Sequence, residues 1–195
     1  YYSIADTAVV YKLVGESTRT VYAGIEGSPG FSGDGGLATD AELYSPQIID
    51  FDADDNLYIS SGVSGGSRNV IRKVNASDGI ITTITGNGLV SDLSVDAAAF
   101  RQNDDAFNRI SVDKNTGDIY FITSNIILKI NASDNIITRF AGIGDTVGVG
   151  FSGDKGSPLT ALFDFEGAFF GGLHVVSATE IYIADENNNR IRKIS

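Results

Sequence analysis

Residues with the chemistry for catalysis or zinc binding are rare in this chain. Its 195 residues contain one histidine, His174, and no cysteine. A zinc site needs three or four such ligands, and no nucleophile motif of the Gly-x-Ser-x-Gly kind appears with a base to activate it. We therefore predict that these residues form no catalytic site, and we interpret His174 as a packing or surface residue.

Clusters of acidic residues suggest calcium, which takes hard oxygen ligands. The clusters are Asp52 to Asn56, Asp104 with Asp105, and Asp185 to Asn189. The first lacks the glycine and the distal glutamate of a helical calcium loop, and Asp and Asn are the expected residues of hairpin turns. We predict turns here and no bound metal, with Asp34 and Asp154 as weak calcium candidates because they recur in one kind of loop.

That loop is a Phe-Ser-Gly-Asp sequence that occurs twice, 120 residues apart. Its glycines permit backbone angles that are closed to other residues, and Asp34 is placed to cap a short helix that follows. These features favour a structural loop that could also present a binding surface. The binding-loop candidates are Phe31, Ser32, Gly33, Asp34, Phe151, Ser152, Gly153 and Asp154.

Two N-glycosylation sequons, at Asn75 and Asn131, fall at the same place in two successive repeats. Each lies in a predicted turn between two strands, and Asn-Ala-Ser-Asp is also good turn chemistry without any glycan. If a eukaryote secretes the protein, we expect both turns to be exposed and glycosylated. No cofactor besides such a glycan is expected.

Short strands in a repeating pattern surround these loops. Residues 48–86 form one complete unit of four predicted strands, and its Leu-Tyr-Ile strand recurs with tyrosines at positions 2, 58, 120 and 182. Four strands to a repeat of this length are typical of propeller blades. The sequence predicts an all-β fold, a β-propeller of four-stranded antiparallel blades, with blade parts at 1–24, 48–86, 107–142 and 172–195 and loops at 25–47, 87–106 and 143–171.

The ring is predicted to be incomplete. The first group lacks an opening strand and the last lacks a closing strand, so three to four blades are present, whereas propellers commonly have four to eight. We expect a slice of a ring of six or more blades. The alternatives are several copies that close one ring and a small permuted ring.

Longer motifs resemble NHL repeats over nearly the whole chain. They are GFSGDGG from Gly30, DNLYI from Asp55, GIITTITG from Gly79 and IADENNNRIRKI from Ile183. The resemblance implies a β-propeller, commonly of about six blades in this family. The middle repeat departs from it, because its loop 87–106 has lost the Phe-Ser-Gly-Asp core.

Charge and hydropathy exclude other classes of partner. The net charge of −11 opposes binding to nucleic acid or to an anionic membrane, and no apolar run is long enough to span a bilayer. Phenylalanines between residues 163 and 170 either form an exposed contact surface or, for some of them, pack a short helix onto the blade; they are Phe163, Phe165, Phe169 and Phe170.

Together these features predict a non-catalytic binding or scaffold propeller, extracellular or at the cell surface, and a fragment of a larger glycoprotein. Its partner would be a protein, a glycan or a second copy of itself. One alternative is a structural subunit of a surface assembly or filament. An enzyme whose site lies in blades outside this chain comes third.

Overall fold

The computed structural model describes residues 1–15, 17–62, 70–85, 109–123, 125–143, 150–165 and 172–195. Within these residues, fourteen strands form four antiparallel sheets of three, four, four and three strands. The helices among them are single 3-10 turns at Ala5–Thr7, Ala38–Asp40 and Pro158–Thr160, and no helix in this part of the chain could cross a bilayer. The predicted all-β fold with antiparallel sheets is confirmed.

The chain divides into two compact units, Tyr1–Leu89 and Val90–Ser195, each with two sheets. In the first unit, sheet 1 contains β1 (Tyr2–Ile4), β2 (Val9–Val14) and β3 (Thr18–Ala23), and sheet 2 contains β4 (Pro46–Phe51), β5 (Leu57–Ser61), β6 (Val70–Val74) and β7 (Ile81–Thr85). In the second unit, sheet 3 contains β8 (Arg109–Val112), β9 (Ile119–Thr123), β10 (Ile126–Ile130) and β11 (Ile137–Ala141), and sheet 4 contains β12 (Leu173–Ser177), β13 (Glu180–Asp185) and β14 (Arg190–Ile194). In every sheet, strands that are adjacent in sequence are hydrogen-bonded neighbours.

Apolar side chains of the strands and of the connecting loop form the core of the first unit. Fully buried positions include Leu57 and Ile59 on β5 and Ile81 on β7, and the loop between the sheets adds Ala41 and Leu43. A buried side chain of leucine or isoleucine size contributes about 1.5–3 kcal/mol. Ala41 and Leu43 of the loop therefore belong to the core of this unit.

The second unit buries the aromatic residues that precede sheet 4. Phe163 and Phe165 are each 2% exposed, their rings stack at 5.3 Å, and they pack with Tyr120, Ile127 and Ile183. The packing interpretation is confirmed for these two residues. Phe169 and Phe170 lie outside the described residues.

Asparagine and aspartate side chains close the turns between the third and fourth strands. Asn75 Oδ1 accepts the Ser77 N–H at 2.9 Å, and Asp78 Oδ1 accepts the Ile80 N–H at 2.9 Å. The same two bonds recur 56 residues later, from Ser133 to Asn131 and from Ile136 to Asp134. Such local bonds specify a turn without any tertiary contact, which is why the sequence predicts it.

The strand register corrects the predicted alignment of the first repeat by one residue. Tyr2 pairs with Tyr11 on β2, in the way that Ile59 pairs with Arg72 and Ile183 with Arg192. Tyr1, not Tyr2, is therefore the counterpart of Tyr58. A shift of one residue exchanges the two faces of a strand, so the correction decides which tyrosine belongs to the repeated structure.

Candidate functional site

A buried arginine holds the first Phe-Ser-Gly-Asp loop. Arg72, on β6, is 1% exposed, and its Nε donates to Asp34 Oδ1 at 3.1 Å. Its Nη1 donates to the Glu42 carbonyl at 2.8 Å and its Nη2 to the Ser32 carbonyl at 3.1 Å. One guanidinium group thus joins both ends of the loop to the sheet, in the forked geometry that only arginine supplies. We call this arrangement the arginine clamp.

The clamp recurs in the second unit with every residue displaced by 120 positions. Arg192, on β14, donates from Nη2 to Asp154 Oδ1 at 2.9 Å and to the Ser152 carbonyl at 2.7 Å. Its Nη1 donates to the Leu162 carbonyl at 2.6 Å and also lies 3.4 Å from Asp185 Oδ2. This recurrence shows that the arginine clamp is a structural feature of the repeat.

The aspartate of the loop therefore has a different role from the predicted one. The 3-10 turn Ala38–Asp40 has no side-chain cap, so the expectation that Asp34 caps a helix is wrong. Burial alone would raise the pKa of Asp34, but the Thr83 N–H at 3.0 Å and the Arg72 guanidinium outweigh it and lower the pKa. Asp34 is held as a carboxylate that stabilises the clamp.

The association of the clamp arginines with their loops is visible in the sequence. Arg72 and Arg192 occupy the second position of Ile-Arg-Lys strands, and each follows a Phe-Ser-Gly-Asp loop. The equivalent position on β10 is Leu128, which aligns with Phe121 as Arg72 aligns with Ile59, and the loop before that sheet lacks the motif. Arginine and loop occur together or not at all, and this association points to contact.

The aromatic and serine members of the loops have separate contacts. Phe31 stacks on Tyr44 at 5.3 Å, and Ser32 Oγ donates to Glu42 Oε2 at 2.9 Å. Phe151 is 42% exposed and lies against the guanidinium of Arg190 at 3.8 Å. The loops therefore fold on their own side chains, and in the second one a phenylalanine remains at the surface.

The described residues contain no group of three or more His, Cys, Asp and Glu side chains that could hold a metal ion. The weak calcium candidates, Asp34 and Asp154, each bind a guanidinium group instead. Asp52 has the contacts predicted for a turn, because its Oδ1 accepts the N–H groups of Asp54 and Asn56 at 3.0 and 2.9 Å. Asp104 and Asp105 lie outside the described residues, and His174 is an exposed residue of β12 that faces Tyr182 in the register.

A lysine lies over a tyrosine ring at one equivalent position of all four sheets. The distances from Nζ to the ring centroid are 5.4, 5.2, 5.8 and 5.5 Å for the pairs Lys12–Tyr1, Lys73–Tyr58, Lys129–Tyr120 and Lys193–Tyr182. In three of the pairs the lysine Nζ also forms an ion pair with a carboxylate. These ion pairs are Lys73–Asp52 at 3.5 Å, Lys129–Asp118 at 2.6 Å and Lys193–Glu180 at 2.9 Å. Each contact between a cation and an aromatic ring contributes about 0.5–1 kcal/mol at an exposed site and more when buried.

We expect the Tyr58 phenol to stay un-ionised throughout the alkaline range in which the protein is folded. Burial raises its pKa, and the negative charge of Asp52 raises it further. The Tyr58 hydroxyl donates a hydrogen bond to Asp52 Oδ2, with 3.0 Å between the two oxygens. Unfolded tyrosines ionise near pH 10, so the stability from this group is complete below about pH 10 and is lost as the pH rises toward the folded-state pKa. Phenolate absorbance measured against pH checks this. Tyr58→Phe should leave the native signal unchanged and reduce the signal of the denatured chain; a reduced native signal would contradict the expectation.

The two sequons lie in turns at the same end of their respective sheets. Residues 76–78 and 132–134 are exposed, whereas Asn75 and Asn131 are half-buried. In each sequon the serine hydroxyl donates to the asparagine Oδ1 at 2.9 Å. Within the described part of the chain, the Nδ2 atoms of these two asparagines form no hydrogen bond.

Comparison with solved structures identifies a protein of similar fold. It is a structural genomics protein of unknown function from Bacteroides thetaiotaomicron VPI-5482, with a TM-score of 0.58 and 17% sequence identity. The alignment covers 97% of this chain and 42% of that one, so this chain spans less than half the length of its structural relative. No protein-family model and no curated protein sequence matches the chain. At this level of identity, what the two proteins share is their fold.

Proposed function

We propose that the chain is part of an NHL-type β-propeller, with its sheets as blades, and that it serves as a non-catalytic module for binding a protein or glycan outside the cell. The arginine clamp is the observation that carries this proposal. The clamp pairs Arg72 with Asp34 and, 120 residues later, Arg192 with Asp154. Two blades of one repeat family would share such an arrangement.

The use of the charged side chains supports a structural role for the repeat. Several carboxylates form ion pairs within their own unit: Asp34 with Arg72, Asp52 with Lys73, Asp118 with Lys129, Asp154 with Arg192 and Glu180 with Lys193. Groups that neutralise one another in this way stabilise loops and turns. A partner would then be recognised by the surface of the loops, where Phe151 and Leu159 are each 42% exposed.

The sequon turns favour an extracellular location. Within a four-stranded antiparallel sheet, the turn between the third and fourth strands lies at the opposite end from the hairpin between the second and third strands. Glycans on Asn75 and Asn131 would cover the turn ends of sheets 2 and 3 and leave their other ends free. For sheet 3 the proposal therefore assigns the glycan to the turn end and the partner to the opposite end, where the Gly142 N–H donates to the Pro158 carbonyl next to Leu159.

Expression of the chain through a eukaryotic secretory pathway is expected to attach two N-linked glycans. Intact mass before and after enzymatic deglycosylation measures them, and Asn75→Gln and Asn131→Gln should each remove one. Asn115→Gln is the matched control, because it changes an exposed turn asparagine outside a sequon and should remove none. A folded, secreted chain without glycans would contradict the extracellular assignment.

Binding by the secreted protein tests the function itself. The purified chain is applied to arrays of glycans and of extracellular protein domains, and saturable binding without conversion of the bound molecule is the expected result. Leu159→Asp, which adds a charge to the exposed loop surface, should weaken that binding, whereas Ile136→Asp, on a sequon turn, should not. Conversion of a bound molecule by the chain, or absence of any saturable binding, would overturn the proposal.

A further inference from the structure

The second sequon lies beside an exposed isoleucine. Ile130 on β10 pairs with Ile137 on β11, and the Asn131 N–H donates to the Ile136 carbonyl at 3.0 Å, which extends this pairing by one position. Residues opposite each other in an antiparallel pair have their side chains on the same face, with Cβ atoms about 4.5–5.5 Å apart. The side chains of Asn131 and Ile136 are therefore neighbours on one face of the turn.

Ile136 is the apolar member of this pair, and it is 39% exposed. Ile130 and Ile137 point to the opposite face and are 1% and 7% exposed. Apolar surface in contact with water costs free energy in proportion to its area, and a group that covers the surface recovers that free energy. Ile136 thus offers an apolar surface next to the asparagine that a glycan would modify.

The turn holds the side chain of Asn131 in a defined orientation. Its Oδ1 accepts hydrogen bonds from the Ser133 N–H and from the Ser133 hydroxyl, both at 2.9 Å. Because these two bonds hold Oδ1 toward the turn, a sugar joined to Nδ2 starts from a fixed position. A group that is already held in place loses little conformational entropy when it packs against a neighbour.

We propose that the glycan on Asn131 covers Ile136. The first N-acetylglucosamine packs its C–H groups and its acetyl methyl group against the Ile136 side chain, and this contact stabilises the turn end of sheet 3. The inference rests on the proposed function, because the proposed secretion supplies the glycan. It gives the glycan a structural role within its own unit.

Sheet 2 has a protein group at the corresponding place. The Asn75 N–H donates to the Ile80 carbonyl at 2.9 Å, as Asn131 does to Ile136. Ile80 is half-buried and forms a backbone bridge with Leu37 of the clamped loop. The chain itself therefore lies along one side of Ile80. The isoleucine that a glycan is left to cover is Ile136.

Protein of one sequence, made with and without the glycan, tests the inference. Ser77→Ala removes the first sequon and keeps Asn131, and this variant of the complete chain is made in a eukaryotic secretory host and in a bacterial host without N-glycosylation. An endoglycosidase trims the glycan to its first sugar. The trimmed protein is expected to unfold about 1–3 °C above the unglycosylated one, as covering part of one apolar side chain does in a chain of this length.

Ile136→Thr, added to the same variant in both hosts, identifies the group that the sugar contacts. The gain in unfolding temperature should fall to near zero, because threonine leaves little apolar surface to cover. Ser133→Ala, which keeps the sequon at Asn75 instead, is the matched control. Ile136→Thr should not change the effect of the glycan on Asn75.

A glycan on Asn131 that gives no gain in unfolding temperature, or the same gain with and without Ile136→Thr, would overturn this inference and leave the proposed function standing. Intact mass distinguishes the two failures. A secreted chain whose mass shows no glycan overturns the proposed function and this inference together.

Discussion

Arg72→Ala is expected to lower the free energy of unfolding by about 2–5 kcal/mol, because a fully buried side chain is lost and two loop carbonyls lose their donors. The substitution deletes donors to Asp34 and to the carbonyls of Ser32 and Glu42, and it leaves a cavity where a fully buried side chain stood. The loop that forms part of the core between sheets 1 and 2 would lose its attachment to β6. Urea denaturation followed by circular dichroism measures the change.

Matched variants separate the clamp from a general effect of losing an arginine. Arg19→Ala, at an exposed position on β3, should cost less than about 1 kcal/mol. Arg72→Lys keeps the charge without the fork and should recover only part of the loss. A double-mutant cycle of Arg72→Ala with Asp34→Ala should give a coupling energy of about 1–3 kcal/mol. A coupling energy near zero would contradict the clamp.

Gly33→Ala is expected to destabilise the protein by about 2–5 kcal/mol, combining backbone strain with overpacking. Gly33 has φ of +96°, and an added Cβ would lie 2.5 Å from the Ala41 Cα and 2.7 Å from its Cβ. Ala41 is fully buried, so neither side can move away cheaply. The same contact recurs between Gly153 and Ala161, at 2.6 and 2.9 Å. Thermal unfolding of the purified variant gives the measurement.

Gly35→Ala is the control within the same loop. Gly35 also has a positive φ, +82°, but an added Cβ would meet no atom within 4 Å. Strain alone should cost about 1 kcal/mol. The chain itself supports this value, because Lys155 occupies the equivalent position in the second loop with φ of +67°. Equal destabilisation by the two alanine variants would show that the close approach of Gly33 to Ala41 is not the cause.

Local chemistry determined the features that the sequence predicted well. The strands follow from short alternating or apolar runs, and the turns at Asn75 and Asn131 follow from side chains that bind backbone groups two residues away. The three, four, four and three strands of the sheets follow from counting such runs between turns. None of these features needs a contact between distant parts of the chain.

Contacts over long sequence separations decided the rest. Arg72 and Asp34 are 38 residues apart, so the motif around Asp34 could be interpreted as a helix cap, a calcium ligand or a binding loop until the guanidinium was placed beside it. The choice between Tyr1 and Tyr2 depended on the register with β2, which two adjacent tyrosines leave open. The sequence by itself determined the repeated unit, because that information is local; the tertiary structure determined how the repeated residues are used, because a hydrogen bond needs its partner in place.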